Sequence, residues 1–327
     1  MPLSVSPRPS GRRGSPFTGL GPVFMKEFSD HLSSARMMVL MLFVIAFGAF
    51  PVAGSLQLLR TVSDPNSFLF LRIFTIEPDR VGISFIQALN LIIPLMAIGL
   101  GFDSVNSEFN RRTLSRVLSQ PIYRDALLLG KFLAGLVTLA VTLVALWLIV
   151  LGAGILLLGV PPRGVEVARG VGFLGVGIAY GGVWLAVSML FSVIFRSTAT
   201  SALCALGVWL FFFILWPQLA DAIVAGTMPS EIATMDDYLS LQSFSLGLLR
   251  VSPGVLFTEA VVGLLNPETR SMAQLLPVQM RGAIMGAPLP FDQSLLLIWP
   301  QVTGLIAAMI VLFTAAYIVF QREEVRA

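Results

Sequence analysis

Three scarcities set the limits on this 327-residue chain: it has one cysteine (Cys204), one histidine (His31) and few charges. A single cysteine excludes an internal disulfide, and one cysteine with one histidine argues against a Cys/His zinc site within one chain, since such sites need three or four ligands. Cys204 lies within an apolar run and is expected to act as a small buried hydrophobe. Charged residues are 12% of the chain against an ordinary share of about 25%. No Gly-x-x-x-x-Gly-Lys-[Ser/Thr] phosphate loop occurs, since Gly130-Lys131 is followed by Phe132. Any ATP-driven work therefore needs a second chain to bind the nucleotide. No Asp, Glu, Lys or Arg falls in the middle of an apolar run. Ion-coupled transporters and intramembrane proteases depend on such groups, so their absence weighs against both classes.

What the chain has in abundance is hydrocarbon. Hydrophobic residues make up 56% of it, and mean hydropathy is +0.86. Six long apolar runs begin near Met37, Val81, Leu127, Val171, Ala199 and Leu295. About 20 apolar residues cross a bilayer as a helix, so the runs predict an all-α polytopic membrane protein. The predicted spans are 37–59, 81–101, 127–157, 171–195, 199–219 and 295–320. Residues 1–21, rich in Pro, Ser, Gly and Arg, read as a disordered basic tail. The first run starts too late and is too long for a signal peptide, so it is expected to be retained.

With the N-terminus placed in the cytoplasm, Lys and Arg number 13 inside and 8 outside, while Asp and Glu number 7 and 11. The positive-inside bias thus puts both termini in the cytoplasm of a cell (inner) membrane. The bilayer accounts for the basic residues, and no nucleic-acid partner is needed.

Phe24, Phe28, His31, Leu32 and Ala35 repeat at helical spacing, with Lys26, Glu27 and Asp30 on the other face. This predicts an interfacial helix over 23–35. The loop 220–294 is expected on the outer side. It contains two apolar stretches too short to span, 241–249 and 255–265, which read as helices either lying at the outer membrane surface or tucked against the bundle. Gly177 and Gly181 have the spacing of a close helix approach. Gln87, Asn90 and Gln301 are the strongest polar groups within the runs. They either hydrogen-bond neighbouring helices or line a transport path.

Residues 102–131 read FDSVNSEFNRRTLSRVLSQPIYRDALLLGK. Leu114, Val117 and Leu118 form an apolar face, Arg111, Arg112 and Arg116 point elsewhere, and Gln120-Pro121 ends the helix. Such a helix docks into a partner's groove or lies on anionic lipid, and the residues alone leave both open.

The segment resembles the cytoplasmic loop of ABC-2 type permeases, nearest to the nitrous-oxide-reductase maturation and gliding-motility branch. The residues that carry the resemblance are Phe102-Asp103, Glu108, Thr113-Leu114, Leu118-Ser119-Gln120-Pro121 and Gly130-Lys131. The chain departs at Arg112, where the family has glycine. Further along, Ser252-Pro253 to Leu265-Asn266-Pro267, Trp299-Pro300-Gln301 and the tail from Phe320 to Arg326 also agree, so the resemblance covers 22–327. It implies one permease domain that pairs with a second copy or a paralogue, each resting on an ATP-binding subunit. Glu108, Arg111, Arg112, Thr113, Leu114, Arg116, Val117, Leu118 and Pro121 would then form the ATPase-coupling surface. The chain itself would bind no cofactor and be no enzyme, ATP being used by the partner, and most such proteins export material. An alternative is an ABC-linked factor for assembly or maturation of an extracytoplasmic protein. A remoter one is a lipid-modifying enzyme built on Glu259 and Asp292, which nothing in the sequence groups.

Overall fold

The structure, a computed structural model, describes residues 19–59, 68–76, 83–110, 124–159, 161–227, 235–267 and 288–322. All regular elements among them are helical: α1 (Leu20–Ser33), α2 (Ala35–Leu59), α3 (Leu69–Thr75), α4 (Phe85–Gly101), α5 (Asn106–Asn110), α6 (Arg124–Leu158), α7 (Gly164–Ile194), α8 (Thr198–Leu210), α9 (Trp216–Thr227), α10 (Met235–Leu249), α11 (Pro253–Leu265) and α12 (Phe291–Arg322). A wider five-residue turn, Phe211–Leu215, joins α8 to α9 without breaking the helix. Six stretches among the described residues are long and apolar enough to cross a membrane: Ala35–Leu59, Phe85–Glu108, Asp125–Leu158, Gly164–Ile194, Thr198–Thr227 and Phe291–Arg322. The protein is thus an all-α, multi-pass membrane protein.

Several boundaries differ from the hydropathy reading, and at α4 and α7 a polar group that caps or pairs sets the difference. The interfacial helix starts at Leu20, inside the stretch read as tail, and residues 1–18 lie outside the described residues. Helix α4 starts at Phe85 because Ser84 and Gln87 cap it reciprocally. The Gln87 N–H donates to Ser84 Oγ at 3.2 Å, and the Ser84 N–H donates to Gln87 Oε1 at 3.1 Å. Helix α6 stops at Leu158, where Gly159 takes φ 73° ahead of Pro161-Pro162.

Helix α7 starts at Gly164, before the predicted 171, and so takes in Glu166 and Arg169, both buried. Hydropathy excludes these two residues from the span because it does not register partners. Glu166 Oε2 accepts the Arg163 N–H at 2.7 Å and Oε1 accepts the Phe70 N–H at 3.1 Å, so one carboxylate satisfies the first turns of α7 and α3. Arg169 donates to the carbonyls of Leu264 and Leu289, each at 2.6 Å, and to Ser294 Oγ at 3.0 Å. The fifth span runs on to Thr227 instead of stopping near 219.

Helices α7 and α4 form the centre of the bundle. α7 packs on α4, α6, α8, α11 and α12, and α2 covers α4 and α6. Lipid gives helices no hydrophobic reason to associate, so close approach at small residues matters. A Cβ on Gly181 would lie 2.5 Å from Leu139 of α6, and one on Gly177 would lie 3.2 Å from Leu143. The Gly-x-x-x-Gly pair therefore serves packing within this chain. Helices α10 and α11 meet at 111° across a short break. Phe257, Ala260, Val261 and Leu264 of α11 are fully buried, so α11 is tucked into the bundle and does not lie at the surface.

Candidate functional site

The charged side chains of greatest interest gather at the end of the bundle that holds α1 and the end of α12. Val23, Glu27 and His31 are four residues apart on α1, and Val23 and Glu27 meet α6 while His31 lines the cavity beside it. Gly130 makes the contact possible, since a Cβ there would lie 2.8 Å from Val23 Cγ1. One residue on, Lys131 Nζ pairs with Glu27 Oε1 at 2.9 Å and with Glu108 Oε1 at 2.8 Å, its side chain only 4% exposed. The Gly130-Lys131 pair thus has two physical roles: the glycine admits α1, and the lysine joins α1 to α5. This overturns one sequence expectation. Glu27, assigned to the water-facing side of α1, is turned inward because Lys131 offers it a buried cation, whereas Leu32 of the supposed apolar face is exposed.

Around this triad lies a cavity of about 490 Å³ whose lining includes Lys26, His31, Arg36 and Asp103. Lys26 Nζ reaches Glu27 at 2.9 Å and Asp30 at 3.2 Å. Arg36 pairs with Asp103 at 2.8 Å and lies over the Phe102 ring at 5.3 Å. Burial pushes the Glu27 carboxyl up, but the Lys131 ammonium and the hydrogen bonds from Lys26 and Lys131 outweigh it and hold the group below its ordinary value. Burial opposes the charge on Lys26, yet Glu27 and Asp30 together raise it. His31 is pushed down by burial, with Lys131 adding to the effect against the pull of Glu27, Asp103 and Asp30.

The backbone on either side of residues 111–123 is held fast. Ser192 Oγ of α7 accepts the N–H groups of Val105 and Asn106 at 3.0 and 3.3 Å. Asn110 Nδ2 donates to the Arg196 carbonyl at 2.9 Å, in the turn between α7 and α8. On the other side, Asp125 Oδ1 accepts the Tyr317 hydroxyl at 3.1 Å and also the Gln321 amide, both from α12. Of the predicted coupling residues, Glu108 sits in this framework. Arg111, Arg112, Thr113, Leu114, Arg116, Val117, Leu118 and Pro121 lie outside the described residues.

The three polar residues of the apolar runs are not brought together. Gln87 caps α4. Asn90 accepts the Tyr180 hydroxyl at 2.8 Å through Oδ1 and at 3.0 Å through its carbonyl. Gln301 Nε2 donates to Glu259 at 2.9 Å, and Arg250 Nε pairs with the same carboxylate at 2.9 Å. Asn90 and Glu259 share the lining of a second, smaller cavity of about 250 Å³. Glu259, read from sequence as part of an outer loop, is thus placed against the bundle by the fold of α11. Cys204 is half-buried. Among the described residues, no group of three or more His, Cys, Asp or Glu is placed to hold a metal.

Sequence reasoning did not single out Glu27, Asp125 or Arg169. The signal was present for the last of these, an arginine next to an apolar run, but its partners are two carbonyls and a hydroxyl more than 90 residues away.

Comparison with known proteins adds two findings. The profile of the ABC-2 family transporter proteins matches residues 22–325. A relative from Pseudomonas aeruginosa, described as the probable ABC transporter permease protein NosY, is 33% identical over 156 residues. That alignment covers 46% of this chain and 54% of the relative, about half of each.

Proposed function

Since the chain belongs to the ABC-2 family of transporter proteins and is a permease subunit of that class, we propose that it works as the passive, moving half of an exporter. In this reading a separate ATP-binding subunit docks on residues 108–121, and the chain itself binds no nucleotide and carries no catalytic group. Two permeases pair in the cell membrane with both termini in the cytoplasm. Closure of the ATPases pushes the coupling segment, and the bundle follows.

The observation that supports this reading is how the segment is mounted. Residues 111–123 lie between two anchored stretches, and the anchors reach most of the bundle. Lys131 links Glu108 to α1, Ser192 and the Arg196 carbonyl link residues 105–110 to α7 and α8, and Asp125 links α6 to α12. A displacement of the segment is thus passed to several helices at once. Packed helices joined by hydrogen bonds and ion pairs move as rigid units, which is what a two-state transporter needs. The short Lys131 contacts give the α1 end of the linkage little slack.

The experiment is co-purification of the permease with its ATPase, followed by ATPase assay in proteoliposomes. Deleting residues 113–118 is expected to leave the permease inserted and to abolish its stimulation of ATP hydrolysis. Normal stimulation in the deletion, or labelling that places 108–121 on the outer side of the membrane, would overturn the proposal.

A further inference from the structure

Helices α9 and α10 stand apart from the rest of the bundle and pack chiefly on each other. The buried residues of α9 are Ala220 and Val224 alone. Helix α11, directly after α10, is packed instead on α4, α7 and α12 and buries most of its last three turns. An anchored helix thus follows a loosely held pair. Elements with few buried contacts lie at the low-stability end of a fold, where moving parts are found.

The pair joins the bundle at two irregular points. Helix α8 passes into α9 through the wide turn Phe211–Leu215, where the Trp216 N–H reaches back five residues to the Phe211 carbonyl. Helix α10 passes into α11 through the break after Leu249, where the axis turns by 111°. Wide turns and breaks are the places where helices bend, and hinges lie at such element ends. The two joints are fastened to each other. Trp216 Nε1 donates to the Leu248 carbonyl at 2.9 Å, and Ser252 Oγ donates to the Phe212 carbonyl at 3.4 Å. The pair therefore has one common base. That base forms part of the wall of the smaller cavity, since Phe212, Pro217 and Ser252 line it.

Among the described residues, one ion pair crosses the break. Arg250 Nε, at the foot of α10, donates to Glu259 of α11 at 2.9 and 3.2 Å. Gln301 Nε2 of α12 holds the same carboxylate at 2.9 Å. The Arg250 side chain is 36% exposed and that of Glu259 14%. A pair in open water holds little, and a fully buried one is costly to part. This pair lies between those limits. The carboxylate is fixed to α12, while the guanidinium already reaches solvent and can leave it.

We propose that α9 and α10 form a hinged flap on the wall of the smaller cavity, and that the Arg250–Glu259 pair is its latch. With the pair made, the cavity is closed beside Ser252. With it broken, the flap swings about the two joints and water enters there. The device acts within this chain and does not rest on the coupling reading.

The test uses the full chain in detergent, with Cys204→Ala to remove the native thiol. Ser252→Cys is the reporter, a near-isosteric thiol at a position only 4% exposed. Its rate of reaction with a small water-soluble maleimide reads the opening of the flap. Glu259→Gln and Arg250→Gln are each expected to raise that rate about tenfold, the effect of losing one charge-assisted hydrogen bond. Exchanging the pair, Arg250→Glu with Glu259→Arg, is expected to bring the rate back down. A guanidinium at 259 also gives the buried Gln301 Oε1 the donor it lacks in the natural chain. A second reporter, Ser188→Cys in the buried part of α7, separates flap motion from general loosening and is expected to react equally slowly in every variant. An unchanged rate at Ser252→Cys in both single variants, a rise matched at Ser188→Cys, or an exchanged pair as fast as the single variants would each overturn the proposal. No ATPase takes part, so these failures are distinct from failure of the coupling reading.

Discussion

Lys131 and Glu108 stand 23 residues apart in the chain and 2.8 Å apart in space, with Glu27 of α1 closing on the same ammonium at 2.9 Å. The contact brackets the segment the family resemblance assigns to ATPase coupling. The lysine is nearly free of water and serves both carboxylates, so its loss acts on two partners, whereas loss of Glu27 leaves it paired with Glu108.

Lys131→Met is therefore expected to destabilise the protein by about 3 kcal/mol, since it takes one buried ammonium away from two largely buried carboxylates at once. Glu27→Gln should cost only about 1 kcal/mol, because Lys131 keeps Glu108 and the amide still accepts. Thermal unfolding of the two variants in detergent checks the order. Equal losses would show that Lys131 acts by packing and not by charge.

His31 predicts a pH dependence. Burial lowers its pKa in the folded protein, so the folded state binds fewer protons than the unfolded one and stability rises with pH through this group. The contribution is complete above the ordinary histidine value of 6.5 and declines as pH falls below it. Glu27, held below its ordinary 4.5, stays ionised across that window. The melting temperature of the natural chain should therefore drop more between pH 7.5 and 5.5 than that of His31→Gln. Parallel drops would remove His31 as the cause.

Among the described residues Arg169 is the other buried cation, and its hydrogen-bond partners are neutral. It holds the end of α11 and the approach to α12 through the Leu264 and Leu289 carbonyls and Ser294. Arg169→Met leaves these acceptors unsatisfied and is expected to cost about 3–5 kcal/mol. Arg169→Lys, a point donor in place of a fork, should fall between the two. Thermal unfolding in detergent, with the melting temperature falling from the natural chain to the lysine variant to the methionine variant, checks the order.

Gly181 and Gly177 separate in the same way. A Cβ on Gly181 meets Leu139 at 2.5 and 2.9 Å and Ile93 at 3.1 Å, so two helices must give way, whereas on Gly177 the tightest contact is 3.2 Å. Gly181→Ala should cost about 1–3 kcal/mol and Gly177→Ala well under that. Equal effects on thermal stability would mean that the α6–α7 contact is softer than its geometry implies.

The sequence alone determined the six spans and the helical class, because a run of apolar residues long enough to cross hydrocarbon is a local property and the bilayer allows few alternatives to a helix. It also marked Gly130-Lys131 and Glu108 through family resemblance, without a reason for either. Only the tertiary structure decided which side of α1 is buried, because that choice depends on Lys131, 104 residues beyond Glu27. It likewise decided that Glu166 and Arg169 belong within a span and that α11 turns into the bundle. For Glu27, Glu166 and Arg169 the deciding term is a partner for a buried polar group. Hydropathy records what a residue loses on leaving water, while the partner that restores it is known only once distant parts of the chain have come together.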